Sequence, residues 1–217
     1  MVKGRSFKST RNYLFAFLIG TIVFILVISL SYYFSYMEFN KNSYLQDQVA
    51  YSIFEDKLDY TFFNKGKCSK EHFDKITRDL YNNGNVMAKL ENKLGKDNEI
   101  VIQRKKFYSL VELEHLEFLQ MYEENCDLDM DYLLFFYSNK KQKIDLSDRA
   151  GRIVSNVRKT NDDIYVYSFD ANLNTTIINK LKQKYNVSSH ESPVVIVNGD
   201  EHVNNFDNIK EIEKHLD

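Results

Sequence analysis

Leu133-Leu-Phe-Phe-Tyr137 is an uncharged apolar and aromatic run, which predicts a short buried β-strand. Two later runs share this character, Ile164-Tyr-Val-Tyr-Ser-Phe169 and Pro193-Val-Val-Ile-Val197. Near-continuous apolar strands are typical of a sheet that is covered on both faces. These three strands are therefore expected to form the centre of the domain, and helices have to supply the two covering layers.

Segments with helical spacing of their apolar residues separate the three predicted strands. The first predicted helix covers Asp145 to Lys159, and the second covers Asn174 to Tyr185. Asn198-Gly199 is a hairpin turn signal, after which residues 201–206 are expected to pair back and residues 208–216 to form a closing helix. The predicted element order is β-α-β-α-β-β-α, assigned to residues 130–217.

Residues 41–126 are predicted to be helical throughout, because they hold no proline and only three glycines. Apolar residues there recur at alternating spacings of three and four, with one polar interruption: Phe73, Ile76, Leu80, Asn83, Met87, Leu90 and Leu94. A second helix follows from about Asn98 to Asn125. The pattern favours a helical hairpin or a coiled-coil stalk. His72 and His115 are isolated in it and are predicted to be surface or seam residues rather than metal ligands.

The two cysteines flank this hairpin. Cys68 precedes one helix and Cys126 follows the next, and an antiparallel pair of equal length brings those two ends together. We therefore predict a structural disulfide in an oxidising compartment. Two free buried thiols and a redox-active pair are the alternatives.

The N-terminal region predicts the location. Residues 13–36 are 24 apolar or uncharged residues, and about 20 suffice to span a bilayer. The basic residues before them should keep residues 1–12 cytoplasmic, so that a single-pass anchor places the body outside the cytoplasm. A cleaved signal peptide is the main alternative, and a buried helix of a soluble domain is a weaker one.

Composition excludes several classes of protein. With 1 proline and 7 glycines, the chain is neither collagen-like nor a turn-dense β-sandwich. Four basic residues precede the first acid, Glu38, which leaves 25 basic against 31 acidic residues in the remainder. An acidic body argues against nucleic-acid binding. The cysteine spacing is not that of a zinc site, and no metal or other cofactor is expected.

The element order resembles a minimal thioredoxin fold, with Pro193 after Ser192 similar to the cis-proline segment of that family. The runs Phe136-Tyr-Ser-Asn139, Tyr167-Ser-Phe-Asp170 and Ser192-Pro-Val-Val-Ile-Val-Asn-Gly199 resemble membrane-anchored archaeal thioredoxin-like proteins. Those proteins join an anchor and a helical segment with two cysteines to such a domain. The resemblance covers about residues 65–217. It implies a cis bond at Pro193 and peptide binding near Ser192 and Pro193.

The expected dithiol motif is missing from this sequence. Thioredoxin-like oxidoreductases carry Cys-x-x-Cys where the first strand leads into its helix, because the helix N-terminus favours the thiolate. By the resemblance, Ile144 and Ser147 stand at those two positions. A serine hydroxyl does not replace a thiol in disulfide exchange. The resemblance therefore implies the fold without its usual activity.

We expect an α+β protein with a transmembrane helix, a helical segment and a thioredoxin-like domain, which acts as a protein-binding adaptor or a holdase-like module. Its expected partners are the lipid bilayer and extracytoplasmic protein clients; neither nucleic acid nor a small-molecule substrate is expected. The alternative is a thiol–disulfide oxidoreductase or isomerase that uses Cys68 and Cys126, or the thiols of a partner. A purely structural stalk protein is a third possibility.

Overall fold

The computed structural model describes residues 5–62, 68, 70–161, 163–188 and 191–216. The protein is α+β and mostly helical, as predicted. Its elements in chain order are α1 (Arg5–Phe62), α2 (Lys70–Leu94), α3 (Glu99–Cys126), β1 (Asp131–Tyr137), α4 (Ile144–Thr160), β2 (Ile164–Asp170), α5 (Thr176–Lys184), β3 (Val194–Val197), β4 (Glu201–Val203) and α6 (Lys210–Glu213).

The chain divides into two compact units between Asp47 and Gln48. The first unit contains Arg11–Met37, a stretch of 27 residues with a mean hydropathy of 2.7. None of its most apolar window is buried against protein. The segment is long and apolar enough to cross a membrane, and the same properties fit an N-terminal signal sequence.

The second unit is built on a mixed four-stranded sheet in the order β2-β1-β3-β4. Strand β1 pairs in parallel with β2, and Tyr132 lies opposite Tyr165. Strand β3 runs antiparallel to both β1 and β4. The predicted order of strands and helices along the chain is confirmed.

The turn predicted at Asn198-Gly199 is confirmed, because both residues have positive φ, 49° and 86°. A side chain at Gly199 would bring its Cβ to 2.8 Å from the Tyr132 hydroxyl. The Asn198 side chain adds a hydrogen bond next to the last pair of the β1–β3 ladder, Leu133–Val197. Its Oδ1 accepts this bond, of 2.8 Å, from the Tyr132 amide. The turn therefore needs both residue types.

The closing helix α6 is shorter than the predicted 208–216. Its neighbours form hydrogen bonds three residues apart, such as His215 N–H to Ile212 O at 3.0 Å and Leu216 N–H to Glu213 O at 3.2 Å. Such bonds belong to the tighter 3₁₀ geometry that often ends α-helices. The predicted segment therefore contains four α-helical residues, Lys210–Glu213, and turns of the 3₁₀ type beside them.

Both faces of the sheet are covered, as the apolar strands predicted. Helices α4 and α6 cover one face, whose hydrophobic core includes Leu133, Phe135, Ala150, Val154, Val157, Val195, Val197 and Ile212. Helices α2, α3 and α5 cover the other face, together with the last turns of α1 from Ala50 onwards. The predicted hairpin seam is confirmed as buried from Phe73 to Leu90.

The hairpin of α2 and α3 also covers the outer edge of strand β2. The Val166 amide donates a hydrogen bond of 2.8 Å to the Tyr81 hydroxyl, and the Ser168 amide donates one of 2.8 Å to Oε1 of Glu112. Uncovered edge amides invite pairing with other chains, so these two side chains close that edge. They also join the predicted helical segment 41–126 to the predicted domain 130–217.

Candidate functional site

The side-chain hydroxyl of Ser147, in the first turn of α4, already takes part in hydrogen bonds within the domain. Ser147 is buried, and its Oγ accepts a hydrogen bond of 3.0 Å from the Ser138 amide. The Ser138 hydroxyl donates to Oδ1 of Asn172 at 2.6 Å. Ile144 is the first residue of α4 and is half-buried. The Ser147 hydroxyl, at one of the positions that the resemblance assigns to a dithiol, therefore serves as a structural acceptor.

Ser192 and Pro193 lie at the same end of the sheet. The ladder between β1 and β3 ends with the pair Phe136–Val194, so both segments leave it there. The peptide bond between Ser192 and Pro193 is cis, which confirms that prediction. Both side chains are buried, and the Ser192 hydroxyl has no hydrogen-bond partner among the described residues.

The predicted disulfide between Cys68 and Cys126 is confirmed. Their Cα atoms are 5.7 Å apart, within the usual range for a bridge. The Tyr60 hydroxyl lies 3.6 Å from Sγ of Cys126. At the other end of α3, the turn residue Lys96 pairs with Asp148 of α4 at 3.4 Å. Helix α3 is 28 residues long, so roughly 40 Å separate its two ends. The disulfide is thus remote from the start of α4.

A buried cluster of charged residues lies where the hairpin meets the end of β2. The Lys105 ammonium pairs with the carboxylates of Glu91 and Asp170, the latter at 3.2 Å. The Asn139 amide donates a hydrogen bond of 2.9 Å to the same Asp170 oxygen. Burial lowers the pKa of Lys105, and the Asp170 carboxylate opposes that shift. The cluster links α2, α3 and β2 through polar contacts.

Glu112 adds a second buried carboxyl group. It is 2% exposed, and its Oε1 accepts a hydrogen bond from the Ser168 amide. Its other oxygen, Oε2, has no hydrogen-bond partner among the described residues. Burial raises the pKa of Glu112 well above its ordinary value, against the opposing effect of the Ser168 hydrogen bond. The protonated carboxylic acid is therefore favoured at this position.

A cavity of about 680 Å³ lies beside these groups, between the hairpin and helix α4. Glu91, Lys105 and Glu112 line it, together with Tyr137 of β1. This site was not predicted from the sequence. A signal was present, because Lys105 and Glu112 occupy positions on the same buried stripe of α3 as Val101 and Leu119.

His115 is a seam residue, as predicted. It is fully buried, and its ring nitrogens hydrogen-bond the Tyr167 hydroxyl at 2.8 Å and the Thr77 hydroxyl at 3.1 Å. Burial lowers the pKa of His115 to about 3, so the ring is neutral at physiological pH. The side chain of His72 lies outside the described residues. Within the described ranges, no group of three or more His, Cys, Asp or Glu side chains is arranged to hold a metal ion.

No protein-family model, curated protein or solved structure matches this chain.

Proposed function

We propose that the protein is a membrane-anchored, extracytoplasmic thioredoxin-like protein without dithiol chemistry, which binds other proteins as an adaptor or a holdase-like module. The observation that carries the proposal is the sheet order β2-β1-β3-β4, with one parallel and two antiparallel pairs. Helix α5 lies on one face, with α4 and α6 on the other. This arrangement, together with a proline directly before β3, supports a thioredoxin-like domain.

The absence of a thiol at the start of α4 supports binding rather than disulfide exchange. Exchange needs a thiolate that attacks a disulfide. Ser147 offers a hydroxyl that already accepts a hydrogen bond, and Ile144 offers no reactive group. The two cysteines of the chain are bonded to each other. An adaptor or holdase needs neither group to react.

The anchor and its orientation rest on the N-terminal sequence. Arg11–Met37 is long enough to span a bilayer, and the basic residues from Lys3 to Arg11 favour a cytoplasmic N-terminus. A disulfide between Cys68 and Cys126 suits an extracytoplasmic compartment. We expect the full chain to stay in the membrane on alkaline carbonate extraction, and protease added outside spheroplasts to digest the body. A shortened soluble protein would identify the segment as a cleaved signal.

The proposed contact with clients is the main chain at Ser192 and Pro193. The two residues lie just beyond the last ladder pair, Phe136–Val194, where an extended peptide could add main-chain hydrogen bonds. Both residues are buried and Ser192 is completely so, main chain included, so a client would pair with this segment only as it opens locally, and the side chains would take no part in reading the client's sequence. Main-chain pairing tolerates many sequences, which suits a holdase for unfolded proteins.

The test is insulin reduction by dithiothreitol with the full chain in detergent micelles. We expect the protein to suppress aggregation of the insulin B chain without accelerating reduction. Amide hydrogen exchange in the presence of a reduced, alkylated and permanently unfolded protein should show increased protection at Glu191, Ser192 and Val194, the residues around Pro193 that carry an amide hydrogen. Residues 201–203 of β4 are the internal control and should not change.

The alternative outcomes identify the competing functions. Accelerated reduction that disappears when Cys68 and Cys126 are replaced by serine would overturn the binding proposal in favour of an oxidoreductase. A third outcome would favour a purely structural stalk protein. In that case the protein neither accelerates insulin reduction nor suppresses aggregation, and the amides of Glu191, Ser192 and Val194 show no added protection.

A further inference from the structure

The cavity between the hairpin and α4 has the size of a small-molecule site. Its volume of about 680 Å³ falls within the roughly 300–1,000 Å³ typical of ligand pockets. Part of its wall is apolar and is formed by the buried residues Met87 and Phe135. Gly151 of α4 also lines the cavity, and a Cβ at that position would meet only the Phe135 ring, at 3.5 Å. Such a wall can hold a compact apolar group, for example a phenyl ring, while a few polar groups fix its orientation.

The charged side chains that line the cavity leave an excess of positive charge. Four are basic and three are acidic: Lys96, Lys105, Arg152 and Lys159 against Glu91, Asp148 and Glu112. Lys105 pairs with Glu91, and Lys96 pairs with Asp148 at 3.4 Å. Glu112 favours the neutral acid, because burial raises its pKa. Asp170, the second partner of Lys105, does not line the cavity. The charges of the lining that remain uncompensated are those of Arg152 and Lys159.

Arg152 and Lys159 provide accessible donors on one face of α4. Both are exposed, and they lie seven residues apart, which is two helical turns or roughly 10 Å along the axis. Neither has an ion-pair partner among the residues that the structure describes. Ser155 and Asn156 lie between them and also line the cavity, so the same face offers neutral hydrogen-bond donors as well. A guanidinium group matches the two oxygens of a carboxylate with two parallel N–H donors.

We propose that the cavity binds a small organic carboxylate, whose oxygens accept hydrogen bonds from Arg152 and Lys159 and whose apolar body packs against Met87 and Phe135. The charge of the lining selects the anion, and the apolar wall selects a carboxylate that carries a hydrocarbon group.

This site is separate from the proposed contact with protein clients. Neither Ser192 nor Pro193 lines the cavity. Loss of client binding would therefore leave carboxylate binding intact, and a protein without a ligand in the cavity could still act as an adaptor or holdase. The two proposals can fail independently.

The test compares three probes that share one apolar body, namely 3-phenylpropionate, 3-phenyl-1-propanol and 3-phenylpropylammonium, together with acetate, which lacks that body. Each probe is titrated calorimetrically into the full chain in detergent micelles, and the titration into empty micelles is subtracted. We expect 3-phenylpropionate to bind at least tenfold more tightly than each of the other three. Equal binding of the three phenyl probes, or of acetate and 3-phenylpropionate, would overturn the proposal.

Two variants and one control locate the ligand. Arg152→Gln combined with Lys159→Gln removes both uncompensated charges from exposed positions and should weaken 3-phenylpropionate binding at least tenfold. Arg149→Gln makes the same kind of change on the same helix but outside the cavity, where Arg149 pairs with Asp207, and should leave the affinity unchanged. Gly151→Leu adds a side chain to the cavity wall, where its Cβ has room, and should abolish binding.

The proposal fails if the double variant or a folded Gly151→Leu protein binds 3-phenylpropionate as tightly as the wild type does. It also fails if Arg149→Gln weakens binding as much as the double variant, because the probe would then respond to the basic surface of α4 in general and not to the cavity.

Discussion

The two faces of the sheet are built from different chemistry. Against α4 and α6, the hydrophobic core consists of aliphatic and phenyl side chains such as Val154, Phe135 and Ile212, and the buried polar residue Ser147 lies near the start of α4. Against the hairpin, the buried residues include His115 and Glu112, alongside aromatic side chains such as Tyr167. The apolar core of the first face stabilises the fold through hydrophobic burial. The second adds groups whose contribution to stability depends on pH.

The hairpin face is polar because its side chains also form hydrogen bonds with the amides at the edge of β2. Strand β2 lies at the edge of the sheet, and its amides at Val166 and Ser168 need partners. Tyr81 and Glu112 supply those partners and are buried in doing so.

The largest expected effect comes from the disulfide, which constrains the hairpin and not the α4 face. Replacing both Cys68 and Cys126 by serine should lower the free energy of unfolding by roughly 4 kcal/mol, because the unfolded chain regains a loop of 58 residues. Urea denaturation of the wild type with and without reductant is the matching control. Equal midpoints for the oxidised and reduced wild type would contradict the prediction.

The next effect tests the apolar face. Ile212→Ala removes a fully buried side chain of α6 and should cost about 2–5 kcal/mol. Since the surrounding cluster is apolar, the loss should be equal at pH 5 and pH 8. Leu146→Ala, at a residue of α4 that is 44% exposed, is the control and should cost much less. A loss that varies with pH would remove the distinction between the two faces.

The pH dependence of the hairpin face is set first by His115. Its folded pKa of about 3 lies below the ordinary 6.5, so its contribution is complete above pH 6.5 and is lost as the pH falls towards 3. The loss approaches about 1.4 kcal/mol per pH unit below pH 6.5, which gives roughly 2 kcal/mol between pH 6.5 and 4.5. His115→Gln should abolish this component, measured as the difference in unfolding free energy from the wild type across that window. A pH-independent difference would show that His115 titrates normally in the folded protein.

The contribution of Glu112 to stability changes with pH in the opposite direction from that of His115. Its folded pKa is raised, so the stability it contributes is complete below its ordinary pKa of 4.5 and falls as the pH rises above that value. Relative to the wild type, Glu112→Gln should therefore gain stability with rising pH, by at most about 1.4 kcal/mol per pH unit. Glu99→Gln, at an exposed position of the same helix, is the control and should show no such trend. The same trend in both variants would indicate a general charge effect.

The sequence predicted what local patterns encode. The run Leu133–Tyr137 and the segment Asp145–Lys159 carry their periodicity within a few residues, and both form the expected elements. The hairpin seam from Phe73 to Leu90 was predictable for the same reason. The disulfide followed from equal helix lengths, which is also a local property.

The cavity could not be predicted in this way, because its parts come from distant segments. Lys105 has partners at Glu91 and Asp170, and the hydrogen-bond partner of Glu112 is Ser168. Periodicity places Lys105 and Glu112 on the buried stripe of α3, but it does not indicate which residues, more than fifty positions later in the chain, become their partners. The burial of Ser192 was equally hidden, because it depends on tertiary packing.

The smallest expected effect tests the edge contact itself. Tyr81→Phe keeps the ring and removes the hydroxyl that accepts the hydrogen bond of the Val166 amide, so it should cost about 1–3 kcal/mol by leaving that amide without its partner. The ring would still lie 4.0 Å from the Arg158 guanidinium, so the variant removes the hydrogen bond with little change in packing. Burial raises the pKa of Tyr81 to about 12, and the hydroxyl is therefore protonated at neutral pH in the wild type.

Amide hydrogen exchange should accelerate at Val166 and remain unchanged at Val195, which pairs within the sheet. Tyr51→Phe, at a tyrosine of α1 that is 63% exposed, should change neither stability nor exchange. If Val166 stays protected in Tyr81→Phe, the hairpin shields the edge by excluding water, and the hydroxyl is dispensable.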